Sequence, residues 1–373
     1  MIFFLRIIKI LRYIFLSKYT FTFPPKKKYL IYDYNCSFLL ENYISKKNIE
    51  ILHTRGESIN ILLLIINLFK YKLSLTAYYN TYISYVRPKF IVTFTDNDEG
   101  FCKIRNFKNS KKILIQQAWR TVLDDAILSN INKKKVFNYK IDYLLMFNKH
   151  IGKKFLSFIK GKVVEIGSFK SNLIKNKSDK FVYDLLYISS GSYTEKKNKD
   201  SDIAIANYQL VKNLYKYSLK YKKVLCIYGK RITEKGALEE KSYYDSVIGS
   251  KNWVFIKNKY LLNSIKISDQ SLVTIVLNST LGYESLSRGN KVVFFSTRGN
   301  DKYDSLNFGW PYKFKKKGFF WTNDSSEYEC ERVINNVIKI NNKKWKVLLR
   351  KVLPNLMIRD ENNLKFRKIC GIL

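Results

Sequence analysis

In the stretch LNSTLGYESLSRGNKVVFFS, residues 277–296, two hydroxyls, a glycine and a glutamate follow directly on a β-branched run. Such a run ending in Ser279 and Thr280 delivers hydroxyls to the start of a helix. There they can cap free backbone N–H groups, and a phosphate could use the same donors and the helix dipole. Glu284 stands four residues past Thr280, on that side of the helix, within reach of a ligand hydroxyl. An ordinary N-cap followed by a solvated glutamate produces the same spacing, so this stretch is a candidate site and a candidate cap at once.

Two further stretches supply complementary chemistry. YGKRITEKGALEE places Lys230 and Arg231 at the end of an apolar run, with Lys235 and the acids Glu234, Glu239 and Glu240 close behind. Arginine grips phosphate through paired hydrogen bonds and lysine neutralises it as a point charge, so the pair suits a diphosphate leaving group. A solvated charge run is the plainer reading. TFTDNDEG offers Asp96 first and Asp98 second as a general base for an attacking hydroxyl, with an Asx turn as the structural alternative. Asn97, and the Gln116 and Arg120 of QQAWR, add amide and cationic groups for a polyhydroxylated or anionic acceptor.

Several chemistries lack material. The sequence contains no Walker loop, GxGxxG, HExxH or GxSxG, which argues against nucleotide hydrolases, nicotinamide enzymes and serine esterases. Only His53 and His150 are available, and the five cysteines are scattered without metal or disulfide spacing, as in a reducing cytoplasm. The DND of residues 96–98 is the one acidic pair that a Mg²⁺- or Mn²⁺-dependent transferase could use, and the two-halved layout described next fits metal-independent chemistry better.

The candidates all follow strand-like runs. KYLIYDYN, NIEILHTRG, PKFIVTFTDND, KKILIQQAW, IDYLLMFN and GKVVEIGS are separated by stretches long enough for crossovers, including a long apolar helix over INILLLIINLFKYKL. After the lysine-rich NLIKNKSDK a second alternating set follows: FVYDLLYIS, a helix from Asp202, KKVLCIYGKR, a helix ending at Gly249, WVFIKN, SLVTIVLN and KVVFFST. Strands alternating with helices imply mostly parallel sheets, in an α/β chain of two similar-sized halves facing each other. The expected divisions are an N-terminal segment 1–25, halves at 26–175 and 176–326, and a basic helical tail at 327–373. In such sheets ligands bind beyond the carboxyl ends of the strands, where all the candidates lie.

Lys and Arg number 68 against 30 Asp and Glu, a net charge of +38 that points to an anionic partner. The opening MIFFLRIIKILRYIFLSKY is apolar but carries Arg6, Lys9 and Arg12 on one side of a helix. It is too interrupted to span a bilayer and is shaped to lie at an anionic membrane surface, unless it packs on the protein's own core. Nucleic acid is the weaker partner, because the cations are spread along the chain rather than gathered in one module.

IYDYNCSFLL, IEILHTRGESINILLL, FIVTFTDND, ILIQQAWR, KGALEEKSYY and NSTLGYESLSRGNKVVFFS, in this order, resemble bacterial surface-polysaccharide or O-antigen biosynthesis proteins with a B-type glycosyltransferase fold. The resemblance covers residues 28–300. It implies two Rossmann-like domains facing a cleft, with a nucleotide-sugar donor held by the C-terminal half at Lys230, Arg231, Ser279, Thr280 and Glu284. It also implies a lipid-linked or polysaccharide acceptor in the N-terminal half near Asp96, Asn97, Gln116 and Arg120. The expected enzyme is a cytoplasmic glycosyltransferase, peripheral on the inner face of the membrane, needing no metal or cofactor beyond its donor substrate. A teichoic-acid-like glycerophosphotransferase is the alternative within the same fold, and a basic nucleic-acid-binding protein the alternative outside it.

Overall fold

The computed structural model describes residues 15–71, 74–122, 127–129, 139–175, 180–191, 202–249, 251–260, 262–277, 279–298 and 303–372. The amphipathic segment expected over residues 1–14 lies outside them. The chain forms two compact units, Met1–Phe169 with Asn363–Leu373, and Lys170–Asn362. Each is a six-stranded, all-parallel sheet with helices in its crossovers.

In the first unit a short pair, β1 (Lys18–Thr20) and β4 (Ser58–Asn60), stands apart from the main sheet. The main sheet contains β2 (Tyr29–Tyr32), β3 (Ile49–Leu52), β5 (Phe90–Thr93), β6 (Lys111–Ile115), β7 (Tyr139–Met146) and β8 (Ile159–Glu165), in the spatial order β3-β2-β5-β6-β7-β8. β2 and β5 are buried at every residue, as strands of a parallel sheet covered on both faces must be. Within the apolar stretch after β4, a helix, α1, runs over Ile61–Phe69. Asn60 starts it by accepting the Leu63 N–H at 3.1 Å. A second helix, α2 (Leu75–Val86), opens on Ser74, whose hydroxyl accepts the Ala77 N–H. The crossover between β7 and β8 is α3 (Lys149–Leu156), capped by Asn148.

In the second unit β9 (Tyr183–Ile188) leads into α4 (Asp202–Lys220), β10 (Leu225–Tyr228), α5 (Glu234–Ile248) and β11 (Trp253–Ile256). The chain then crosses through α6 (Asn263–Asp269) to β12 (Ser271–Val276), α7 (Thr280–Ser287), β13 (Val292–Phe295) and the two-residue β14 (Trp321–Thr322). The strand order is β11-β10-β9-β12-β13-β14. Thr233 caps α5 and Gly249 ends it with φ 79°, the stop expected from the sequence. Two helices of the tail, α8 (Glu327–Lys339) and α9 (Asn342–Val352), belong to this unit, while α10 (Leu364–Cys370) belongs to the first. The Tyr29 hydroxyl donates to the Cys370 carbonyl at 3.2 Å, and the Asn363 amide donates to the Phe169 carbonyl at 2.9 Å. No helix among the described residues is long and apolar enough to cross a membrane.

Candidate functional site

In the second sheet the chain moves from β9 outward through β10 to β11, then returns to the other side of β9 with β12. That reversal splays the crossover connections apart at the carboxyl ends of β9 and β12 and leaves the crevice where open α/β sheets bind ligands. Ser189 and Ser190 follow β9, Lys230 and Arg231 follow β10, and Ser279 and Thr280 follow β12. The three strands are adjacent, so β10 and β12 stand two strand spacings apart, about 10 Å. The structure therefore gathers four of the five expected donor-site residues along one sheet edge. A cavity of 280 Å³ opens there as well, lined by Asp202 and Ala206 of α4 and by Thr297 beyond β13.

The local geometry explains how the cations are held. The backbone N–H groups of Lys230 and Arg231 donate to the Glu240 carboxylate at 2.9 and 3.0 Å. Glu240 is fully buried in α5, so it turns the chain after β10 and fixes both cations at the sheet edge. The Lys230 ammonium donates to the Ser190 carbonyl at 3.1 Å, and its alkyl chain lies against Gly191. Ser279 caps α7, accepting the Leu281 N–H at 3.3 Å. Gly282 lets the helix sit against the sheet, because a Cβ there would stand 2.5 Å from Val276 and 2.8 Å from Phe294.

Glu284 is placed differently from the solvated glutamate that its spacing also allowed. It is fully buried, and its Oε1 lies 3.3 Å from the Nζ of Lys170. The carboxylate is thus turned inward to the lysine rather than out to solvent. Lys170 itself was missed by sequence reasoning, since a pairing across more than a hundred residues leaves no local pattern. Arg288, four residues on, was also unassigned. It is buried against Asp269, which accepts its Nε at 2.9 Å and the Asn290 amide at 2.8 Å, while Arg288 donates to the Ile174 carbonyl at 2.7 Å. This buried, fully bonded pair holds α7 to its surroundings.

In the first sheet the corresponding reversal lies between β2 and β5. Asp33, which ends β2 at φ 75°, accepts the Arg55 guanidinium at 2.7 and 2.9 Å, the Thr95 hydroxyl at 3.0 Å and the Asn35 N–H at 3.0 Å. The hydrogen bond from Arg55 to this carboxylate raises the guanidinium pKa further. Asp33 and Arg55 stand at the ends of the strand-like runs KYLIYDYN and NIEILHTRG and are not among the expected site residues.

Asp96, the first choice for a base, is only 2 % exposed. It accepts the N–H groups of Gln117 and Ala118 at 2.9 and 3.3 Å and the Arg120 guanidinium at 2.8 Å. Its carboxylate thus folds the turn after β6. Gln116 is equally committed, accepting the Phe147 N–H at 2.9 Å and donating to the Ala118 carbonyl at 3.1 Å. Asp98 is exposed and Asn97 partly so. Asp98 is one of the acids that, after burial, raise the pKa of the Tyr32 phenol. Of the first unit's candidates, Asp98 and Asn97 are the ones open to solvent chemistry.

A family model described as "putative O-antigen biosynthesis protein" matches residues 113–370, more than half of the chain. The chain belongs to that family. A comparison of the sequence with curated proteins finds no match. Among solved structures, it is similar to the Neisseria meningitidis UDP-GlcNAc 2-epimerase bound to UDP-GlcNAc, with a TM-score of 0.53, 9% identity, and coverage of 92% of this chain and 99% of that one. The S. aureus MnaA co-structure with UDP aligns with a TM-score of 0.52, 11% identity and coverage of 93% and 98%. The wall teichoic acid polymerase TagF aligns with a TM-score of 0.50, 13% identity and coverage of 93% and 89%. At these identities the likeness establishes the fold. It is the B-type glycosyltransferase fold that the sequence resemblance implied, in a protein of surface-polysaccharide biosynthesis.

Proposed function

We propose that this O-antigen-family protein is a glycosyltransferase, moving a sugar from a nucleotide donor to a lipid-linked or polysaccharide acceptor at the inner face of the membrane. The observation that carries the proposal is the convergence of Lys230, Arg231 and the N-terminus of α7 where the second sheet reverses its strand order. Two cations and a helix N-terminus on one edge can offset the charge that develops on a departing nucleoside diphosphate. Support also comes from solved structures of the same fold in which UDP-GlcNAc or UDP is bound.

In this reading Ser279 and Thr280 present hydroxyls to the donor, and the buried Glu284 acts as a positioning residue by fixing Lys170 beneath α7. Asp98, exposed where Asp96 is consumed, removes the acceptor's proton. Asp96, Gln116 and Arg120 shape the neighbouring turn, and Asn97 offers its amide to an acceptor hydroxyl. No metal or cofactor takes part.

The test is a thermal-shift screen of the purified protein against UDP, GDP, CDP, CMP and dTDP sugars, repeated on Lys230→Ala. One nucleotide class should raise the melting temperature of the wild type. Lys230→Ala should need about 10–100 times more ligand for the same shift, as loss of a charge-assisted phosphate contact implies. Equal responses in both proteins would remove Lys230 from the donor site, and no response to any nucleotide would remove the proposal.

A further inference from the structure

At the outer edge of the first sheet, four strands away from β2, a cavity of 740 Å³ lies between β8, α3 and α10. Its rim carries Lys149 and Lys153 from α3, Lys162 from β8, and Lys365 and Lys368 from α10. Glu165 is the one lining carboxylate, so five positive charges less one negative leave a net +4 around a single concavity. Glu165 accepts the Lys149 N–H at 2.9 Å, and its carbonyl accepts the Lys365 ammonium at 2.7 Å. Among the described residues Lys149, Lys153, Lys162 and Lys368 form no ion pair. The floor is apolar, built from Leu156, Val163 and Ile369. Leu156 is 43 % exposed.

Lysines on an edge strand discourage pairing with another sheet, and Lys160 and Lys162 of β8 serve that purpose. It does not account for lysines on two helices from distant parts of the sequence turned to the same hollow, nor for the apolar floor between them. Like charges held around one concavity repel unless an anion joins them. A cationic rim over an apolar floor matches an amphiphile whose phosphate meets the lysines while its first acyl carbons meet the floor.

We propose that this cavity docks the anionic phospholipid headgroups of a bilayer. The inference rests on the reading that the protein works at a membrane, and it places that contact on β8, α3 and α10 rather than on the N-terminal segment alone. The strand-end residues assigned to donor and acceptor chemistry take no part in it.

The test uses the full chain and vesicles of phosphatidylcholine with or without phosphatidylglycerol, at about 100 mM salt so that long-range attraction is screened. Wild type should sediment with the phosphatidylglycerol vesicles alone. The triple variant Lys153→Glu, Lys162→Glu, Lys368→Glu should bind at least a hundredfold more weakly, since each lysine near an anionic surface contributes roughly fivefold. A triple Lys→Arg variant should keep binding. An environment-sensitive fluorophore on Leu156→Cys, in a Cys36→Ser background, should report transfer to an apolar setting when phosphatidylglycerol vesicles are added and stay unchanged with glycerol phosphate.

Undiminished binding by the triple Glu variant, or a probe that remains in water while the protein sediments, would overturn the proposal. So would equal competition by soluble glycerol phosphate, which would mark the cavity as a site for free phosphate esters. The nucleotide response of the triple Glu variant separates the two readings. If it persists while vesicle binding is lost, both stand; if wild type shows no nucleotide response but binds vesicles through these lysines, the donor site alone fails.

Discussion

Lys112 shows how much a single position can cost and how that cost can be read. It is 1 % exposed, and its ammonium donates to the Ile104 carbonyl at 2.8 Å and faces the Phe101 ring. Burial pushes its pKa down to about 8. Unfolded, a lysine titrates near pH 10.4. Between about pH 8 and 10 the unfolded chain therefore holds more of this proton than the folded one, and folding stability rises with pH through that window. A Lys112→Met variant lacks this dependence, so its stability relative to wild type should fall by about 2 kcal/mol between pH 7 and pH 10 in urea titrations. A relative stability constant over that range would show that Lys112 is not buried as a cation. The same scale explains which site residues the sequence could show. Ser279 as a cap follows from residue type and position, whereas the engagement of Asp96 by Arg120 and of Glu284 by Lys170 depends on neighbours that spacing does not reveal.

At the scale of elements, the fully buried strands were legible because their sequences are continuous apolar runs between turns, as in LCIY, VVFF and FIVT. β1, β4 and β14 were not, since two or three residues of mixed polarity carry no periodicity. The stretch INILLLIINLFKYKL misled in extent, because Ile59 and Asn60 belong to β4 and the helix stops at Phe69, ahead of Lys70 and Tyr71. Gly282 sets how closely α7 rests on the second sheet. A Cβ would lie closer to Val276 and Phe294 than real contacts allow, so Gly282→Ala must lift α7 from the sheet. The expected cost is about 1–3 kcal/mol, more than the helix propensity that alanine returns. The variant should show a lower urea midpoint together with a weaker nucleotide response. An unchanged midpoint would mean that α7 does not rest on β12 and β13 as described.

For the whole molecule, two alternating sets of strands and helices were enough to read two α/β halves with parallel sheets, because each strand-helix pair keeps its own period. The membership of α10 in the first unit had no such signal: it rests on contacts such as Tyr29 with Cys370, formed between opposite ends of the chain. The net charge of +38 becomes informative only once structure sorts it, into cations fixed by Glu240 at a sheet edge and lysines around a hollow on another. The most direct measurement is liquid chromatography that separates isomeric nucleotide sugars, coupled to mass spectrometry, on nucleotide sugars incubated with the protein with and without a glycolipid fraction. One nucleotide sugar should be consumed only when the acceptor is present, with equal amounts of free nucleotide and of acceptor heavier by one sugar. Consumption without acceptor to an isomer of the same mass, or no consumption of any nucleotide sugar, would contradict the proposed transfer.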